Sequence, residues 1–214
     1  MLRVQAIAPA VYWRMRAISL GAAALLSVAM AAAAAPEHRE IEELYRKGLM
    51  GDKAAVEQCI AKLEEGLRLQ PQNQLGRVYL GSAYTLRSRD LGFGPKKLQT
   101  LRQGLRVMDE AVANAPEDPK VRLGRALTTS ALPGLFGRAG ESRNDFLQLA
   151  ELAKTAPAKF DATDLQIVYY NAGLAAKANG DAARAAELWR EGLRHGSDAT
   201  LKQKIEAELA KAPR

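Results

Sequence analysis

The sequence predicts an all-α protein built as a stack of antiparallel helix hairpins, and three observations carry that expectation. Apolar residues recur at the i, i+3, i+4, i+7 spacing of a helix face through most of the chain after residue 36. Four segments end alike: LEEGLRLQP, MDEAVANAP, LAELAKTAP and WREGLRHGS begin at Leu63, Met108, Leu149 and Trp189, at intervals of 45, 41 and 40 residues. Aromatic residues are only 6% of the 214 while alanine is abundant, which suits close-packed helices rather than sheet.

The elements follow in order. A basic stretch ending at Arg16 precedes an uncharged run, Ala17 to Ala34, and the small-residue tract Ala31 to Ala35 before Pro36. That is the composition of a secretory signal peptide over residues 1–34, cut after Ala32-x-Ala34 so that the mature domain is 35–214. Met15 is an alternative start. The rival reading is an uncleaved inner-membrane anchor over residues 17–35, at the lower limit of length for a bilayer span. The expected setting is therefore periplasmic or secreted, with membrane contact only if the leader stays attached.

Hairpin one is expected at 37–71, with Ile41, Leu44 and Tyr45, then Val56, Cys59, Ile60 and Leu63, turned inward around a break at Gly51-Asp52. Hairpin two, 74–116, sets Leu80, Gly81 and Tyr84 against Leu101, Leu105 and Met108. Its connection, Arg89 to Pro95, is rich in Gly and Pro and longer than a tight turn needs. Hairpin three, 118–157, opens on Asp118-Pro119, an N-cap followed by proline at the first helical position. A second long connection, LPGLFGRAGE, covers residues 132–141. Its Leu132, Leu135 and Phe136 read equally as a contact edge or a lid over the core. Hairpin four, 161–197, turns at Asn179-Gly180-Asp181, and a capping helix fills 198–210.

The first helices share Leu80-Gly81, Leu123-Gly124 and Ala172-Gly173. Glycine inside a helix costs about 1 kcal/mol relative to alanine, so close approach of a partner helix is expected at each. With Tyr169, Gly180-Asp181, Ala185, Trp189 and Gly192-Leu193 in hairpin four, these pairs make the chain resemble the tetratricopeptide repeat (TPR) family. The units are longer than that family's usual 34 residues, the excess falling mostly in the two long connections. The resemblance implies a right-handed α-solenoid whose first helices line a concave surface for peptides or partner proteins.

The net charge is +7, but Arg3, Arg14 and Arg16 lie in the acid-free leader, leaving a mild excess of +4 that argues against nucleic-acid binding. His38 and His195 make no metal-ligand spacing, and the carboxylate pairs Glu42-Glu43, Glu64-Glu65 and Asp109-Glu110 read as solvated charge. Cys59 has no partner and reads as a buried thiol. No catalytic residue, cofactor or metal is therefore expected. One constellation stands out. Arg87, Arg89 and Asp90 leave the first helix of hairpin two, beside Arg122 and Arg125 of hairpin three. Asp90 pairing with one of these arginines would fix the long connection. Alternatively Arg89, Arg122 and Arg125, with Thr128 and Tyr170, form a basic patch for an acidic peptide or carboxylate. The function expected is an exported adaptor for a protein or peptide in the bacterial cell envelope. A small-ligand or lipid-handling accessory of a transport system, with its pocket under the long connections, is the alternative.

Overall fold

The computed structural model describes residues 36–196 and 198–211, with the side chains of 36–38 left out; the leader expected at 1–34 lies outside the described residues. Nine α-helices and no strand occur among the described residues. They are α1 (Pro36–Leu49), α2 (Lys53–Leu69), α3 (Gln74–Asp90), α4 (Pro95–Asn114), α5 (Pro119–Ser130), α6 (Ala139–Thr155), α7 (Ala162–Ala178), α8 (Ala182–Gly192) and α9 (Ala199–Leu209), with one-turn 3-10 segments at Gly134–Phe136 and Pro157–Lys159. Consecutive helices pack as hairpins, α3 also rests on α1 and α5, and α9 covers α8 and α7. The all-α stack is thus borne out.

Local chemistry explains where the helices begin. Asp52, Asn73, Asp118, Asp161, Asp181 and Asp198 each accept a hydrogen bond from a backbone N–H of the turn they precede, which satisfies donors that a helix N-terminus leaves open. In hairpins one and four a single Gly-Asp pair does two jobs. Gly51 (φ 103°) and Gly180 (φ 85°) take the left-handed conformation, and the following N–H reaches back, Asp52 to Lys47 O at 3.1 Å and Asp181 to Ala176 O at 3.0 Å. That closes the first helix; the same aspartate then caps the second. The connection expected to be long at 89–95 is only four residues, 91–94, the same as that between α2 and α3, because helix α3 runs on to Asp90. Of the two, only 131–138 is long, and α4 and α6 start after Gly94 and Arg138 without any side-chain cap.

The core is one cluster from Ile41 in α1 to Ile205 in α9, with a smaller group of Val78, Met108, Ala111, Val112 and Val121 where α3, α4 and α5 meet. Fully burying each of the larger of these side chains contributes about 2 kcal/mol. Two of the three glycine pairs have the expected cause, whereas at Gly124 a Cβ would meet Val78 Cγ1 of α3, in the neighbouring hairpin, at 2.6 Å. At Gly173 a Cβ would fall 2.2 Å from Trp189 Nε1, and at Gly81 and Gly104 it would meet the other's carbonyl at 2.6 and 2.5 Å. Cys59 is wholly buried; burial pushes its thiol up to about 12, consistent with the inert thiol read from its neighbours.

Candidate partner-binding surfaces

The arginines of the second and third hairpins are held by partners inside the molecule. Helix α6 buries Asp145 completely. Its carboxylate accepts hydrogen bonds from Arg125 Nη2 at 2.7 Å, Arg125 Nε at 2.9 Å and Arg122 Nη1 at 3.1 Å. Arg125 and Arg138 both pair with Asp109 of α4 and with Glu141 of α6. The network therefore ties the start of α6 and the connection before it to α4 and α5. Burial alone would lower Arg125, but the hydrogen bonds to Asp145 and then the surrounding acids outweigh it and hold the guanidinium above its ordinary value. Burial raises Glu141, and the charge of Asp109 adds to that.

Arg89 is committed elsewhere. It forms a forked pair with Asp90, through Nε at 2.8 Å and Nη2 at 2.9 Å, and donates to Gly48 O at 2.8 Å and Leu49 O at 3.3 Å. It thereby caps the carbonyl end of α1. Asp90 does pair with an arginine, its own neighbour, and the anchor runs to α1 rather than to hairpin three. Arg87 turns the other way, onto Glu57 of α2.

Thr128 is buried in a line of hydroxyls crossing three first helices. Tyr45 Oη lies 2.5 Å from Ser82 Oγ, Ser82 Oγ lies 2.8 Å from Thr128 Oγ1, and Thr128 Oγ1 donates to Gly124 O at 2.9 Å. Each hydroxyl has one proton, so the order is fixed: Tyr45 donates to Ser82 and Ser82 to Thr128. Tyr170 is half-buried, and its carbonyl accepts from Trp189 Nε1 at 3.1 Å. Burial raises its phenol, with Glu208 of α9 adding to the rise. Of the five residues Arg89, Arg122, Arg125, Thr128 and Tyr170, Arg122 and Arg125 come together at Asp145, while Arg89 is held at the end of α1, Thr128 is buried and Tyr170 is half-buried on α7. Arg122 and Arg125 are engaged inside the molecule, by the buried Asp145 and, for Arg125, by the partly exposed Asp109 and Glu141.

The sequence reading misses those acids. Asp109 reads there as solvated charge, and Asp145 precedes the inward-facing Phe146 with nothing to mark it. The arginines at 122 and 125, one turn apart beside inward residues, are the available signal that a buried acid must face them. Glu64 is likewise more than solvated charge, since it accepts from Tyr84 Oη at 2.6 Å.

What the fold leaves open lies elsewhere. Between α6 and α8, above α7, runs a groove of about 970 Å³ floored by Leu165, Tyr169 and Leu188 and walled by Glu151, Lys154, Arg184, Glu187 and Glu191. It is not under the long connections. The His195 ring stacks on Tyr169 at 5.6 Å and 13° and lines the groove. Arg184 reaches across to Glu151 at 2.8 Å. Burial raises the Tyr169 phenol, and Glu191 and Glu151 raise it further; both acids are paired, Glu151 with Lys154 and Arg184 and Glu191 with Arg194. Among the described residues no group of three or more His, Cys, Asp or Glu could hold a metal ion, and no helix is long and apolar enough to cross a membrane.

Paired helices stacked in sequence around one continuous core, with glycines where neighbours touch, define an α-solenoid of the TPR-like kind. Among solved structures the chain is similar to the crystal structure of a thermophilic TPR protein from Thermus thermophilus, at a TM-score of 0.58 and 16% identity, over 93% of this chain and 96% of that one. That likeness shows the fold. No family model and no curated protein matches the sequence.

Proposed function

We propose that the protein is an exported adaptor that binds an extended segment of a partner protein in the bacterial cell envelope, in the groove between α6 and α8. The observation that carries the reading is the groove itself. Its apolar floor and polar walls suit a peptide backbone lying across α7. Glu187 on the groove wall, which makes no ion pair among the described residues, suits a segment that places a Lys or Arg side chain there. Export is supported by the signal-like composition of residues 1–34, and binding by the habit of TPR-like stacks to present surfaces to other proteins.

Site-specific photocrosslinking tests it. A crosslinker at Glu187, on the groove wall, should capture a discrete envelope protein in cells, and Glu191→Lys should abolish the adduct. A crosslinker at Glu65, on the exposed side of α2, should capture none. Equal capture from both positions, or an adduct indifferent to Glu191→Lys, refutes the groove. Sequencing the mature N-terminus tests export: a chain beginning at Ala35 supports it, and Arg16 retained replaces it with an anchored protein.

A further inference from the structure

We propose that the rim formed by the α1–α2 turn and the start of α4 docks on an anionic lipid bilayer. The two segments are fastened side by side. Arg89 joins the end of α3 to Gly48 O and Leu49 O of α1, and Lys97 Nζ reaches Arg89 O and Leu91 O, each at 3.3 Å. Ser88 Oγ adds a bond to Lys97 O at 3.0 Å. On this fixed frame the apolar side chains point away from the protein. Phe93, between two glycines, is fully exposed at 107%, with Met50 at 66% and Leu98 at 46%.

Along the start of α4 the charge has one sign. From Leu91 to Met108 the sequence carries Lys96, Lys97, Arg102 and Arg106 and no acid. Leu98, Arg102 and Arg106 recur every four residues along the exposed side of α4, opposite the buried Thr100, Leu101, Gly104 and Met108. Lys53 adds a cation beside Met50. The side chains of Lys53, Lys96, Arg102 and Arg106 make no ion pair or hydrogen bond among the described residues, whereas of the neighbouring acids Asp90 pairs with Arg89 and Glu57 with Arg87; Asp52 caps α2 through the Ala55 N–H, and Glu110 lies one turn beyond Arg106. Protruding apolar side chains flanked by unpaired cations are the arrangement of an interfacial membrane contact, apolar groups entering the acyl boundary while cations meet phosphates. A nucleic acid would use the cations but leave Met50 and Leu98 exposed. The rim is separate from the groove, so each can fail without the other.

The test uses chain 35–214, which contains every core residue named above, so the leader cannot supply the binding. It is sedimented with phosphatidylcholine vesicles, and with vesicles in which about one lipid in three is phosphatidylglycerol. The anionic vesicles should bind at least about tenfold more tightly. Replacing Arg102 and Arg106 by alanine should weaken this about 30-fold, the weight of two cations at such a surface, and Phe93→Ser about tenfold. Phe93→Trp should shift its emission to the blue on those vesicles alone. These positions are exposed, so melting should not move. Equal binding to both vesicles, no binding, or binding to RNA that survives Phe93→Ser while vesicles are ignored, overturns the proposal.

Discussion

Replacing Arg125 by alanine should be among the most damaging single changes on the polar side of this protein. The side chain of Arg125 is 11% exposed and that of Asp145 only 1%. Two of the three hydrogen bonds reaching the Asp145 carboxylate come from Arg125. Removing that guanidinium leaves a carboxylate inside the protein with Arg122 alone. It also strips Asp109 and Glu141 of a shared cation, setting them against each other around Arg138. Breaking a buried pair in this way costs about 3–5 kcal/mol. For a domain of this size each kcal/mol lowers the melting temperature by about 2–4 °C, so a fall on the order of 10 °C follows. Urea unfolding followed by circular dichroism gives the free energy directly. Arg184→Ala, which removes a largely exposed pair with Glu151, sets the scale for a surface bridge at under about 1 kcal/mol. Combining Arg125→Met with Asp145→Leu should cost less than the two singles together, because the Arg125–Asp145 coupling is lost only once, even though Arg122 then loses its carboxylate. An Arg125→Ala variant as mild as Arg184→Ala, or a strictly additive double variant, would refute the reasoning.

Two further outcomes can be checked on the same instrument. Asp164 is 1% exposed and neither of its carboxylate oxygens has a hydrogen-bond partner. Burial, then the charge of Asp161, pushes it up to about 7. A native pKa above the unfolded one means that the folded state holds the extra proton, so stability should fall as pH rises from about 4 to about 7 and then level off. Asp164→Asn should remove that slope and raise the melting temperature at pH 8; an unchanged slope places the titration elsewhere. Gly173→Ala should cost about 2–3 kcal/mol, because its Cβ would overlap the Trp189 indole and disturb its bond to Tyr170 O. In chain 35–214, which lacks Trp13, Trp189 reports alone, and unchanged emission and stability would argue against the close contact.

Much of the fold was legible because its determinants are local. The Gly-Asp breaks at 51–52 and 180–181, the cap-proline pair at 118–119 and the glycine pairs act within a turn or between adjacent helices, and the helix period shows them directly. The polar side was less legible. Asp145 looks on paper like any acid on a charged helix, and only the packing of α5 on α6 places it opposite Arg122 and Arg125. The same holds for His195, whose ring finds Tyr169 through the α7–α8 pairing. Charges separated by 20 or more positions carry no spacing signal, so sequence offered the arginines either Asp90 or a free patch, where the structure pairs Arg122 and Arg125 with Asp145.

The hydroxyl line from Tyr45 to Gly124 has a consequence for assembly. In a chain of similar hairpins the hazard is mispairing, in which one unit docks against the wrong neighbour or slips along it, since the apolar faces are nearly interchangeable. The line works as a key with a single fit. Slide α3 by one residue and Gly81 or Ala83 replaces Ser82 between the two flanking hydroxyls, leaving buried oxygens without partners. Skip a unit and Tyr45 meets Thr128 with no bridge between them. Three side chains thus label the first three hairpins in order, giving a repetitive chain the address that its repeats alone do not supply.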